Sequence, residues 1–195
     1  MERSRFEQAI DAIDAANAGD PTTITVAGTS RPKELAHAEM VTAWVHRLRP
    51  DAPEALLLAA RAHHIRRWES PRSTYPEGRA GYLRWRRDLS RRQADEVARV
   101  LVDAGYDDAT VDRVRAIVAK RDLGRDDDVQ VLEDAMCLVF LETQFDDLAG
   151  RLDHERMVEV VRRTMAKMSP AGLEQVATLA LSDQGRSLIE AASST

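Results

Sequence analysis

Along most of the chain, apolar residues recur at steps of three and four, the period of helices that bury one face. Phe6, Ala9, Ile10, Ile13 and Ala16 predict a first helix ending near Gly19-Asp20-Pro21. Thr22 to Val26 has strand-like residues but no evident pairing partner, and reads as an extended loop. Ser30 and Pro32 open a second helix with a stripe of Leu35, Met40, Val41, Trp44, Val45 and Leu48, stopping before Pro50. After Pro53 the run Leu56 to Ile65 is apolar nearly all round, as in a central helix touched on several sides, and it reads as ending around Ser70-Pro71.

Residues Ser70 to Leu89 mix Pro, Gly, Tyr and Arg without clear periodicity, which predicts a long ordered connection that carries function. Ser90 and Gln93 then form a capping-box pattern ahead of Ala94, Val97, Leu101 and Ala104, with Gly105 as the stop. Asp107 or Asp108 starts the next helix. The acidic run Asp126 to Asp128 caps a longer one, with Val131, Cys137, Leu138, Leu141, Phe145 and Leu148 on one face. Met157, Val158, Val161, Met165 and Met168 mark another, Ser169-Pro170 begins a short helix through Leu181, and a last turn or two covers 183–192. The expectation is an all-α, single-domain helical bundle over 1–195, with a core at about 32–172 and terminal helices packed on it.

Composition narrows the class. With 195 residues, 44% hydrophobic and 31% charged, the chain can bury a sizeable core and is not a disordered or low-complexity sequence. No apolar run approaches a membrane span, and Met1 to Asn17 carries scattered charges and no signal-like apolar stretch, so a cytoplasmic protein is expected. A single cysteine, Cys137, has no disulfide partner within the chain and excludes a Cys-rich zinc site, leaving His and carboxylate as metal ligands. Its place in an apolar run also argues against a thiolate nucleophile. No Gly-rich phosphate loop follows a strand, and no Ser lies in a nucleophile elbow.

The net charge of −5 conceals an asymmetry. Arg61 to Arg92 holds ten Arg against Glu69, Glu77 and Asp88, a net of +7, so the rest carries −12. Trp68, Tyr75, Tyr82 and Trp85 lie in that stretch, and guanidinium donors interleaved with aromatic rings suit a phosphate, a carboxylate or a base. The alternative is that these Arg pair with the acidic remainder as a solvated network.

Several polar residues fall on apolar stripes. His37 shares a face with Met40, Val41 and Trp44 and should point inward, whereas His46 is rotated about 180° from it by the helical period. His63 and His64 lie on the apolar central helix, and Asp134 shares its face with Val131, Cys137, Leu138 and Leu141, while Glu133 can reach solvent. His154 should face solvent. Buried imidazoles and a buried carboxylate need partners. Three imidazoles and a carboxylate suffice for a divalent ion such as Zn, Fe or Mn; the structural alternative is a set of hydrogen-bonded core residues, with His64 paired to Asp134.

The segment LLLAARAHHIRR, Leu56 to Arg67, resembles the signature helix of the HD superfamily of metal-dependent phosphohydrolases, an all-helical fold. The resemblance implies a metal shell of His37, His63, His64 and Asp134, with Arg67 in the place of the base that follows the motif. His64 stands where that superfamily has an Asp able to bridge two metals. At closer range HHIRRWESPRSTYPEGRAGYLRWRRDL, LEDAMCLVFLE and TMAKMSPAG resemble the uncharacterised domain-of-unknown-function 4202 family, from Pro32 to Gly172.

Three functions follow. The first is a metal-dependent hydrolase of a small phosphorylated or nucleotide-like anion, with Arg66, Arg67, Arg72, Arg79 and Arg86 clamping the anion and Tyr75, Tyr82 or Trp85 stacking on a ring. The second is a non-haem iron oxygenase using the same shell. The third is a non-catalytic RNA- or anion-binding module, against which the acidic pI of about 5.6 counts.

Overall fold

The computed structural model describes residues 3–26, 28–145, 148 and 150–194. The chain is predominantly α-helical and forms one domain. Helix α1, Arg5–Ala18, starts from a capping box in which Ser4 and Glu7 satisfy one another's backbone amides, and it buries Ala9 and Ile13. The stretch read as an extended loop is instead a strand. β1, Thr23–Val26, pairs antiparallel with β2, Thr29–Pro32, from Thr23 opposite Pro32 to Val26 opposite Thr29. Its partner escapes a pattern search because the four residues Thr-Ser-Arg-Pro show no apolar alternation, and Gly28, at φ 80°, supplies the left-handed corner.

α2, Lys33–Leu48, and α3, Glu54–Ala62, follow the expected stripes, and Leu56, Leu58, Ala59, Ala60 and Ala62 are fully buried where α1, α2, α5 and α6 meet α3. α3 stops at Ala62, about eight residues before the expected Ser70-Pro71 boundary. Arg66 adopts a left-handed conformation, φ 47°, and its amide donates to Asn17 Oδ1 at the end of α1. That tie turns the chain away from the helix axis into two short 3₁₀ turns, Arg67–Glu69 and Arg72–Thr74.

α4 runs without a break over Gly78–Asp103, so most of the segment read as loop is helix, and Ser90 and Gln93 are interior residues and not a cap. Gly81, Trp85, Leu89, Gln93, Ala94, Val97 and Leu101 form one buried stripe, hidden in the sequence by the density of Arg between them. Gly81 is required, since a Cβ there would stand 1.9 Å from the carbonyl oxygen of Pro76.

α5, Asp108–Val118, and α6, Asp127–Thr143, begin at Asp107 and Asp126, whose carboxylates accept first-turn amides as expected of caps. Arg113 bridges Asp126 and Asp128 and holds the Asp126 carboxyl down to about 2. α7, His154–Met165, α8, Pro170–Val176, and α9, Asp183–Ser193, complete the described elements, α8 being shorter than predicted. α4 packs on α5, α2 on α6 and α9 on α7. The core also takes residues from both ends, including Ile13 and Leu188. No described helix is long and apolar enough to cross a membrane.

Candidate anion site

The site forms where α3 gives out. His63 and His64 follow Ala62 directly, with ring centroids 4.2 Å apart. His63 is buried, and its Nδ1–H donates to the carbonyl of Ala60 at 2.8 Å, which leaves the lone pair on Nε2. His64 lies between two charged groups. A guanidinium can only donate, so Arg67 Nη1 donates to His64 Nε2 at 3.1 Å, and His64 Nδ1–H donates to Glu34 Oε2 at 3.2 Å. Glu34 is buried in the first turn of α2, where its own amide donates to Asp20 Oδ2. His37, one turn further on, is buried with Nδ1 4.0 Å from the same Glu34 oxygen and Nε2 3.4 Å from Thr143 Oγ1. The Arg67 guanidinium lies 5.3 Å over the Trp85 ring, and Trp85 Nε1–H donates to the carbonyl of Ser70.

Burial, followed by the charges of Arg67 and Lys120, holds His64 well below the usual imidazole pKa. Burial and the neighbouring His64 do the same for His63, and burial lowers His37. All three are neutral at pH 7. Burial also pushes the Cys137 thiol up to about 12, which removes it as a thiolate nucleophile near neutral pH.

Two communicating spaces lie in front of His64. The inner one, about 50 Å³, is lined by His63, His64, Arg67, Arg86, Ser90, Gln93 and Lys120 among others. The outer one, about 340 Å³, shares His64, Arg67, Arg86, Lys120 and Met136 with it and extends past Cys137, Phe140 and Val160 to Lys167. Lys120, at φ 55° in the turn after α5, pairs with the buried Glu133, which Lys167 also approaches at 3.8 Å. The expectation that Glu133 reaches solvent is therefore corrected: it is buried, paired with Lys120 and approached by the exposed Lys167. Arg86 reaches both spaces from α4 with no carboxylate partner among the described residues.

Of the residues singled out from sequence, His63, His64, Arg67 and Arg86 line the site, and His37 stands behind Glu34. The others lie elsewhere. Asp134 does not line either space; its carboxylate accepts from Ser169 N at 2.8 Å, Ser169 Oγ at 2.5 Å and Gln130 Nε2 at 2.9 Å, anchoring the start of α8. The expected pairing of His64 with Asp134 is replaced by Glu34. Among the described residues no group of three or more His, Cys, Asp or Glu side chains is arranged to hold a metal, and Asp134, the carboxylate of the shell that the HD resemblance implies, is engaged by Ser169 and Gln130 and not by the imidazoles. Arg66 faces Glu96 at 3.6 Å and Glu69 at 3.8 Å, and Arg72 donates to the carbonyls of Tyr75 and Pro76. Tyr75 lines a separate shallow pocket with Arg72, and Arg79 is exposed and lines neither space. Trp85 is buried beneath Arg67, unavailable for stacking on a ligand, while Tyr82 is exposed one helical turn from Arg86.

Glu34, Lys120, Gln93 and Lys167 are the site residues that sequence reasoning missed. Glu34 carries a faint signal, being one helical turn before the inward-facing His37. Nothing in the local sequence distinguishes Lys120 or Gln93, because the turn after α5 and the unbroken course of α4 bring them to His64.

The family profile described as Domain of unknown function (DUF4202) matches residues 7–189. No curated protein and no solved structure matches the chain. The matched region takes in Glu34, His64, Arg67, Arg86 and Lys120 together with nearly all the helical core, and the chain belongs to the DUF4202 family.

Proposed function

We propose that the protein is a hydrolase of small phosphorylated or nucleotide-like anions, with the cleft around His64 as its active site. One observation carries this reading: Arg67, Arg86 and Lys120 converge on a neutral imidazole whose far nitrogen is held by a buried carboxylate. That is the arrangement of a general base with its orienting group, set among cations that neutralise a phosphoryl group. The likeness of Leu56 to Arg67 to the HD signature helix supports phosphoester hydrolysis as the chemistry.

No step here is routed through an ion. An incoming anion takes Arg67 as its partner and frees His64 Nε2. That nitrogen removes a proton from water as the water oxygen bonds to phosphorus and the ester P–O bond breaks, and the proton passes to the leaving oxygen. Glu34, accepting Nδ1–H, stabilises the transient imidazolium, while Arg67, Arg86 and Lys120 hold the phosphoryl oxygens. The outer space, bounded by Met136, Phe140 and Val160, receives the organic part.

The test is phosphate release from a panel of phosphorylated metabolites by untagged protein, with and without prior dialysis against a chelator. Hydrolysis that survives chelation and is abolished by His64→Ala is expected. A panel without turnover, or activity that persists in His64→Ala, overturns the reading.

A further inference from the structure

Helix α6 is mostly buried, yet one line of side chains along it stays open. Met136, Phe140 and the C-cap Gln144, at steps of four, are half-buried, while Ala135, Cys137, Leu138, Val139 and Leu141 around them are buried. The open line is the floor of a row of spaces. Met136 lines both the inner and the outer space in front of His64, and Phe140 and Gln144, followed by Leu148, carry the outer space into a third of about 170 Å³. At 1.5 Å per residue, Met136 and Gln144 stand about 12 Å apart along the helix. Cations mark both ends of the row. Arg67, Arg86 and Lys120 share the inner end with Met136, and at the other end Lys33 and Arg151 line the third space with no carboxylate among its lining residues. Neither Lys33 nor Arg151 has an ion-pair partner among the described residues. The third space also adjoins the site: Lys33 directly precedes Glu34, which holds His64, and the buried His37 feels the charge of both Lys33 and Arg67.

We propose that the substrate carries a second phosphoryl group at the end remote from the one held beside His64, and that Lys33 and Arg151 bind it. The proposal rests on the reading of the cleft around His64 as an anion site. Two cations match a terminal phosphoryl group, which carries about −1.5 to −2 near neutral pH, better than a singly charged carboxylate. Met136, Phe140 and Leu148 then cover the organic part that links the two anions, with Gln144 able to meet a polar group on it. A monophosphate fills only the His64 end. A long bisphosphate fills both, and its second contact forms within a complex already made, so the gain depends on the length of the linker.

Titration calorimetry on the full chain tests this with hexyl phosphate, hexane-1,6-diyl bisphosphate and ethane-1,2-diyl bisphosphate. The two bisphosphates carry the same charge on linkers of different length, which separates reach from charge. The long bisphosphate should bind at least about fivefold more tightly than either of the others. A double variant, Lys33→Met with Arg151→Met, should lose that gain and bind hexyl phosphate as the unaltered protein does. A long bisphosphate that binds no better than hexyl phosphate, or no better than the short bisphosphate, overturns the proposal while the anion-site reading stands, and it does so whether or not the variant folds. A gain that persists in the folded double variant also overturns it. Failure of all three probes to bind overturns both this proposal and the reading of the cleft.

Discussion

Ser169 donates both its backbone amide and its hydroxyl to the carboxylate of Asp134, while the same hydroxyl accepts the Gly172 amide to cap α8. The buried carboxylate thus joins the middle of α6 to the first turn of α8. The fit is close, since a Cβ on Gly172 would stand 2.6 Å from Asp134 Cγ. Asp134→Ala should lower stability by about 2–4 kcal/mol through loss of the anchor and of buried hydrogen bonds to a charged group. Phosphate affinity should not change. Urea denaturation and phosphate titration of the same preparation check both; a loss of binding with unchanged stability would return Asp134 to the ligand site.

Glu34 acts through His64. Glu34→Gln retains the size and an acceptor for Nδ1–H but loses the charge that stabilises the imidazolium, so kcat on a phosphomonoester should fall by about 10²-fold or more. Arg67, Arg86 and Lys120 remain, and binding of inorganic phosphate should be retained. Steady-state kinetics together with phosphate titration separate the two effects. A fall confined to phosphate affinity would show that Glu34 serves only to place Arg67.

Burial of the imidazoles makes stability depend on pH. His37, His63 and His64 are all lowered from the ordinary value of 6.5, so below that pH the unfolded chain binds protons that the folded chain does not. Their contribution is fully present above about pH 6.5 and is lost as pH falls toward the folded-state values, at up to about 1.4 kcal/mol per pH unit for each imidazole. Asp126, held at about 2, gives up its contribution in a separate window below the ordinary carboxylate range. Urea midpoints at pH 7.5, 6.5 and 5.5 should therefore decline in order, and a flat profile would contradict neutral, buried imidazoles.

Much of the helical course is legible from residue spacing. Apolar periodicity marks α1, α2, α3, α5, α6 and α7, and the caps Asp107, Asp126, Asp153 and Ser169 lie where a short polar side chain precedes an apolar stripe. Two boundaries were not legible. The Asn17–Arg66 bond that helps end α3 joins residues 49 positions apart, and the Arg-rich first half of α4 is held helical by a stripe of only a few buried residues against the rest of the fold.

The candidate site divides in the same way. Local pattern alone marks His37, His63 and His64 as inward-facing and the Arg61–Arg92 stretch as cationic, because burial and charge follow from which residues share a helix face. Which partners those residues meet is a matter of packing between distant segments. Glu34 in place of Asp134 beside His64, Lys120 and Gln93 at the cavity, and Trp85 beneath Arg67 depend on contacts between α2, α3, α4 and the turn after α5. A hydrogen bond depends on distances of about 3 Å, and helical periodicity carries no such distance between separate helices.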